Sequence, residues 1–277
     1  MTGSRSPRWP LVAVLAFAAM WNVAPARAQG CEPESAYQQA VGSAGGDVPV
    51  PIVIHIMERP GKACEVRQRW TSEQVKIVFG PGTIDPRGVN SVWSGTSIRF
   101  SVRGVELHDD QTPPGDMVDA QRNIKVPLTG PRGDDTYEAA FTALVDKFHR
   151  DGSVNVYLWR RISGGPLGDD GPLGFGRSKR TGNGKATVFL DIRCFQGSLR
   201  ACATVVAHEF GHTLGLYHAG GSCDKVDPEF RDLCKSLAAP CPPVKLAARL
   251  MKTQGTGRAL CPLEGKQAEC VAKNQCR

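Results

Sequence analysis

The stretch "VVAHEFGHTLGLYHAG" (205–220) carries three of the chain's six histidines, His208, His212 and His218. His208 and His212 are four residues apart, so on a helix their rings lie on one face about one turn apart. Two imidazoles at that spacing can reach one metal ion at about 2.0–2.1 Å each. Glu209 is rotated about 100° around the axis, too far for an equal ligand but able to lean over a water on that ion. On a continuous helix over 200–217 His218 would point away from the pair. Gly215 can adopt positive φ and end the helix, which lets His218 return from another side. Three nitrogens would then cap one face of a tetrahedron. Requiring Gly215 and His218 beyond H-E-x-x-H lowers the odds of a chance match roughly four-hundredfold, given 31 glycines and six histidines in 277 residues. Leaving three unpaired rings beside apolar "ATVV" and "LGLY" would cost about a few kcal/mol. A metal site is therefore the expected reading.

The flanking chain reads as alternating strands and helices. "VPVPIVIHIM" (48–57), "TSIRFSVRGVEL" (96–107), "SVNVYLWRRI" (153–162) and "ATVFLDI" (186–192) are rich in β-branched residues and predict strands, the third with an apolar centre that suits the inside of a sheet. "TSEQVKIVF" (71–79) opens with Thr71 or Ser72 and has Glu73 and Gln74 early, a helix start. "VNSVW" (89–93) extends that helix or begins another. "DDTYEAAFTALVDKFHR" (134–150) places Ala140, Phe141, Leu144, Val145 and Phe148 on one helical face. "GGPLGDDGPLGFGRS" (164–178) is glycine-rich and predicts a loop. After Gly220 the periodicity fades until a short helix expected beyond Pro262. This order predicts an α/β upper lobe of about 190 residues and a small cross-linked lower lobe. His55, His108 and His149 read as ordinary strand or helix-end histidines.

The match of "HEFGHTLGLYH" to H-E-x-x-H-x-x-G-x-x-H is complete, and in it the chain resembles the metzincin clan of zinc metallopeptidases. The resemblance implies a zincin-like α/β (α+β) fold. That fold has a twisted mixed sheet with helices in an upper subdomain (about 45–217), the active-site helix, and a small irregular disulfide-rich lower subdomain (about 218–277). It implies one catalytic Zn²⁺ on His208, His212 and His218, with Glu209 as general base. Met251, in "ARLMKTQGTG" (248–257), is similar to the methionine turn of the clan and is the only methionine after residue 117. "GPLGFGRS" (171–178) looks like the clan's substrate-pairing edge strand, which makes Gly174, Phe175 and Gly176 candidate substrate contacts. The implied activity is peptide-bond hydrolysis by a zinc-bound water activated by Glu209. Ala219 stands where ADAM-like families have Asp, and no tyrosine follows Met251, so the subfamily stays open with a faint likeness to pappalysins. A zinc-bearing, non-catalytic binding protein and a disulfide-rich adhesion module are the competing classes.

The first residues predict export. Arg5 and Arg8, an apolar run at 11–21 and small residues at Ala26 and Ala28 are laid out like a secretory signal, with cleavage expected after Ala28. A lipid anchor on Cys31 is the alternative reading of "AQGC". Eleven apolar residues are too few to span a bilayer. Removing 28 of 277 residues leaves 249 and takes away three arginines, so the net charge falls from +7 to +4. Such mild charge, with its densest basic cluster in "RSKRTGNGK" (177–185), argues against nucleic acid. The expected protein is a secreted, or periplasmic, monomer acting on protein or peptide substrates. All ten cysteines follow the signal and predict up to five disulfides. Cys31 is also a candidate zinc-blocking thiol, with a disulfide the better fit. Asp169 and Asp170 in "GDDG" offer too few oxygens to require Ca²⁺.

Overall fold

The structure, a computed structural model, describes residues 31–41, 47–62, 64–80, 88–109, 111, 124–126, 135–164, 173–177, 185–196, 198–216, 218, 250–251, 260 and 262–273. The signal-like segment, Asp169 and Asp170, nearly all of the basic cluster and most of the tail after His218 lie outside these residues. No helix among the described residues is long and apolar enough to cross a membrane.

Four parallel strands and one antiparallel edge form the main sheet. These are β1 (Val48–Met57), β2 (Ile98–His108), β4 (Val154–Trp159), β6 (Gly174–Arg177) and β7 (Thr187–Asp191), in the spatial order β2-β1-β4-β7-β6. Only β6 runs antiparallel, beside β7. A separate parallel pair joins β3 (Ile124–Val126) to β5 (Ile162–Gly164). The apolar centre of β4 does lie inside the sheet, between β1 and β7. Two expectations need correction. The strand expected over 153–162 stops at Trp159, and Ile162 begins β5, whose entry is held by the Asp191 carboxylate accepting from the Ile162 N–H at 2.7 Å. The glycine-rich run expected as a loop contains β6.

Helices cover both faces of the sheet, and strand parity sorts the side chains between them. Ile52, Ile54 and Ile56 of β1, Val156 and Leu158 of β4 and Val188 and Leu190 of β7 face one core. That core also holds residues of α2 (Ser72–Phe79), α3 (Val89–Val92) and α5 (Leu199–Thr213). Tyr157, Trp159 and Phe189 face the other core with Phe141, Leu144, Val145 and Phe148 of α4 (Asp135–Phe148), the stripe read from the sequence. Each fully buried residue of this kind contributes about 1.5–3 kcal/mol. Two further α-helices are described, α1 (Glu34–Tyr37) and α6 (Pro262–Ala272).

Local chemistry sets where the helices begin. Thr71 caps α2 in a capping box with Gln74, and the Ser198 hydroxyl caps α5 by accepting from the Ala201 N–H at 3.1 Å. A disulfide between Cys194 and Cys202 ties the segment after β7 to the first turns of α5. Cys31 is bonded to Cys64, so its sulfur is neither a free thiol nor open to a lipid. No described cysteine is free.

Candidate metal and catalytic centre

α5 lies under the sheet's β6 edge, and glycines set how close the two come. A Cβ at Gly176 would sit 2.5 Å from the Glu209 carbonyl oxygen, and one at Gly174 3.2 Å from Glu209 Cγ. Side chains at these two positions would lift the strand off the helix. On the other side of α5, the Trp93 indole N–H donates to the Ala207 carbonyl at 3.3 Å. The second half of the helix is thus held between strand and core.

The helix stops at Thr213, one turn before the sequence-based limit of 217. Gly215 has φ of +77°. The Gly215 N–H donates to the His212 carbonyl at 3.0 Å and the Leu216 N–H to the Gly211 carbonyl at 2.9 Å. These paired bonds are those of a Schellman ending. The same turn serves the histidines twice. It reverses the chain so that His218 returns toward the helix, and it presents the Leu216 carbonyl to His212 Nδ1 at 2.8 Å.

The three rings converge through their Nε2 atoms. His218 Nε2 lies 3.2 Å from His208 Nε2 and 3.1 Å from His212 Nε2. Tetrahedral bonds of about 2.0–2.1 Å place neighbouring ligand atoms about 3.3–3.4 Å apart, so the spacing suits one ion. The tautomers suit it too. His208 Nδ1–H donates to the Leu250 carbonyl at 2.7 Å and His212 Nδ1–H to Leu216, which leaves both Nε2 lone pairs facing the centre. Burial holds the basicity of all three rings below the usual histidine range, His218 at about 4. They are therefore neutral near pH 7, the ligating form. His208, His212 and His218 form a group able to hold a metal ion, zinc being consistent with the donor set.

Glu209 is buried beside this group, and burial pushes its carboxyl up to about 8, opposed by a hydrogen bond from the Gly176 N–H. Antiparallel alternation matters here. The Asp191 N–H donates to the Leu173 carbonyl, so Phe175 is the next residue to turn its backbone groups toward β7. Gly174 and Gly176 turn theirs away from β7, toward the sheet's open edge. Phe175 itself stacks on Phe189 at 4.9 Å, on the α4 side of the sheet.

Met251 is fully buried beneath α5. It lies so close to Gly211 that a Cβ there would overlap the Met251 Sδ and come within 3.0 Å of its Cε. Residue 250 holds His208 and residue 251 packs under the next turn, so these two tail residues support the cluster as a unit. Gly211 escaped the sequence reading. Its only signal was a glycine inside a helical pattern, which usually marks close approach.

Neither family models nor curated proteins match the chain. Among solved structures, a chaperone–substrate complex is 16% identical over 63% of this chain and 27% of that one, with a TM-score of 0.34. Metalloproteinase-II from Bacteroides fragilis is 12% identical over 68% of this chain and 52% of that one, with a TM-score of 0.32. The chain therefore spans about a quarter to a half of these neighbours, and both likenesses are distant.

Proposed function

We propose that the chain is an exported, zinc-dependent endopeptidase of metzincin type, with His208, His212 and His218 holding the ion and Glu209 acting as general base. One observation carries the reading: three Nε2 atoms, those of His208 and His212 fixed in tautomer, meet at ligand spacing with a buried carboxyl group next to them and a strand edge alongside. A zinc ion there supplies positive charge that polarises a scissile carbonyl and acidifies water. Glu209 accepts the attacking water's proton and passes it to the leaving amine. The outward N–H and C=O groups of Gly174 and the C=O of Gly176 pair with an extended peptide as an added strand. Met251 forms the floor under α5 and keeps the Leu250 carbonyl on His208. Structural disulfides and the signal-like first residues support an extracellular or periplasmic setting.

The test is reversible metal removal. Chelator should abolish casein cleavage by the purified protein, and stoichiometric zinc should restore it. Undiminished cleavage in excess chelator would sink the proposal. One tightly held zinc without turnover on any protein substrate would instead favour a non-catalytic binding protein.

A further inference from the structure

The face of the sheet opposite α5 brings together residues that the sequence scatters. His55 of β1 pairs in register with Glu106 of β2 on one side and Tyr157 of β4 on the other, and Met57 pairs with His108. A bulge makes this grouping. Along β2, Ile98, Phe100 and Val102 face the α5 core; the register then slips between Ile52 and Val53, so that Arg103 is skipped and Val53 meets Gly104. Beyond the slip Val105 and Leu107 face the α5 core, and Glu106 and His108 turn to the side of His55.

The protonation of His55 is fixed by its neighbour. Asn155 Nδ2 donates to the Arg150 and Ser153 carbonyls, each at 3.1 Å, and its Oδ1 accepts from the Arg150 N–H at 2.8 Å. That oxygen can only accept, so His55 Nε2, 3.0 Å away, carries the proton. The Nδ1 lone pair of His55 is left facing His108 Nε2 at 3.1 Å. Glu106 Oε2 lies 3.5 Å from the first nitrogen and 3.6 Å from the second. Arg150 holds that carboxylate in a two-pronged pair at 2.7 and 2.9 Å. All three donor spacings are close to the tetrahedral edge of about 3.3–3.4 Å, and the nitrogen pair repeats the spacing of the α5 cluster. Beside them, the Tyr157 ring stacks on His55 at 4.8 Å, and its buried hydroxyl has no hydrogen-bond partner among the described residues.

We propose that His55 Nδ1, His108 Nε2 and a Glu106 carboxylate oxygen form a second divalent-metal site of the zinc type, separate from the α5 cluster. Two imidazoles and a carboxylate are a zinc donor set, and one position is left for solvent. Asn155 and Arg150 orient the ligands from behind as metal sites require. His108 and Glu106, 14% and 27% exposed, provide the way in. Arg150 opposes the ion's charge, but it is 52% exposed and well screened by water. An ion here would clamp the ends of β1 and β2 together on the α4 side. The proposal does not rest on the α5 reading, since the two groups share no residue and lie on opposite faces.

The experiment is zinc stoichiometry and affinity, by competition with a chromophoric chelator, on the full chain stripped of metal. Wild type should bind two zinc ions, His208→Ala/His212→Ala one, and His108→Ala one. Adding His108→Ala to the double variant should weaken its remaining site about a hundredfold, and adding the near-isosteric Glu106→Gln at least about tenfold, with near-UV circular dichroism unchanged. Loss of the α5 zinc alone would count against the proposed activity and leave this site standing. The second site is overturned if the double variant takes up no zinc. It is equally overturned if His108→Ala and Glu106→Gln leave zinc uptake by the double variant as it was, which would make the contact an ordinary histidine–histidine hydrogen bond.

Discussion

Gly211→Ala is a small change with an outcome that separates two effects. The backbone at Gly211 is ordinary helix, so alanine fits it and by propensity alone would stabilise α5 by about 1 kcal/mol. The added methyl, however, would overlap the Met251 Sδ, in a place where both residues are buried. Overpacking of this kind costs about 1–3 kcal/mol. The net expectation is a destabilisation of roughly 0–2 kcal/mol, measured by urea unfolding of the metal-free protein. The larger effect should be on metal. Displacing Met251 moves Leu250, whose carbonyl orients His208. Loss of such an orienting bond typically weakens metal affinity about 10–100-fold. Adding Met251→Ala relieves the overlap, so zinc affinity in the double variant should exceed the product of the single effects. The expected coupling is about 0.5–3 kcal/mol in the mutant cycle. A Gly211→Ala protein about 1 kcal/mol more stable with unchanged zinc affinity would refute the coupling of Met251 to the site.

Gly215→Ala should destabilise by more than about 1 kcal/mol, because φ of +77° suits glycine, and should weaken zinc binding as His218 shifts; unchanged unfolding and zinc titrations would contradict this. Burial lowers His55 to about 4 in the folded chain, against about 6.5 unfolded. The unfolded chain therefore binds the extra proton between these values. In chelator, the share of stability due to His55 should be fully present above pH 6.5 and be lost, by about 3 kcal/mol, as pH drops toward 4, read as the difference between the wild-type and His55→Gln profiles because the buried α5 histidines and Glu209 titrate in both; profiles of equal slope for the two proteins would contradict it. Cys194→Ala/Cys202→Ala opens a cross-link of separation 8 and should cost about 2–3 kcal/mol while leaving zinc stoichiometry unchanged; loss of a zinc ion would contradict a purely structural role.

Local patterns were legible in the sequence. The i, i+4 pair His208 and His212, the glycine that ends their helix, the β-branched runs of β1 and β7 and the apolar stripe of α4 all depend on neighbours within a turn or two. The missed features depend on distant partners. Whether Glu106 and His108 share a face with His55 turns on a single skipped residue, Arg103, in a strand that alternates well. Asn155, which fixes the His55 tautomer, lies 100 residues away. Gly211 has meaning only once Met251 is under it. The helix end moved from 217 to 213 because the Schellman bonds close at Gly215, a geometry that periodicity cannot register. Trp159 ended a strand expected to reach 162 because Asp191, from β7, captures the Ile162 N–H.

The most direct test of the central claim is Glu209→Gln at matched zinc content, assayed by mass spectrometry of casein digests. The amide keeps the shape of the side chain and removes the base. Expected is unchanged zinc stoichiometry with cleavage about 10²–10⁴-fold slower. Wild-type cleavage by the zinc-loaded variant would contradict the role of Glu209, and with it the assignment of the α5 cluster as a peptidase centre.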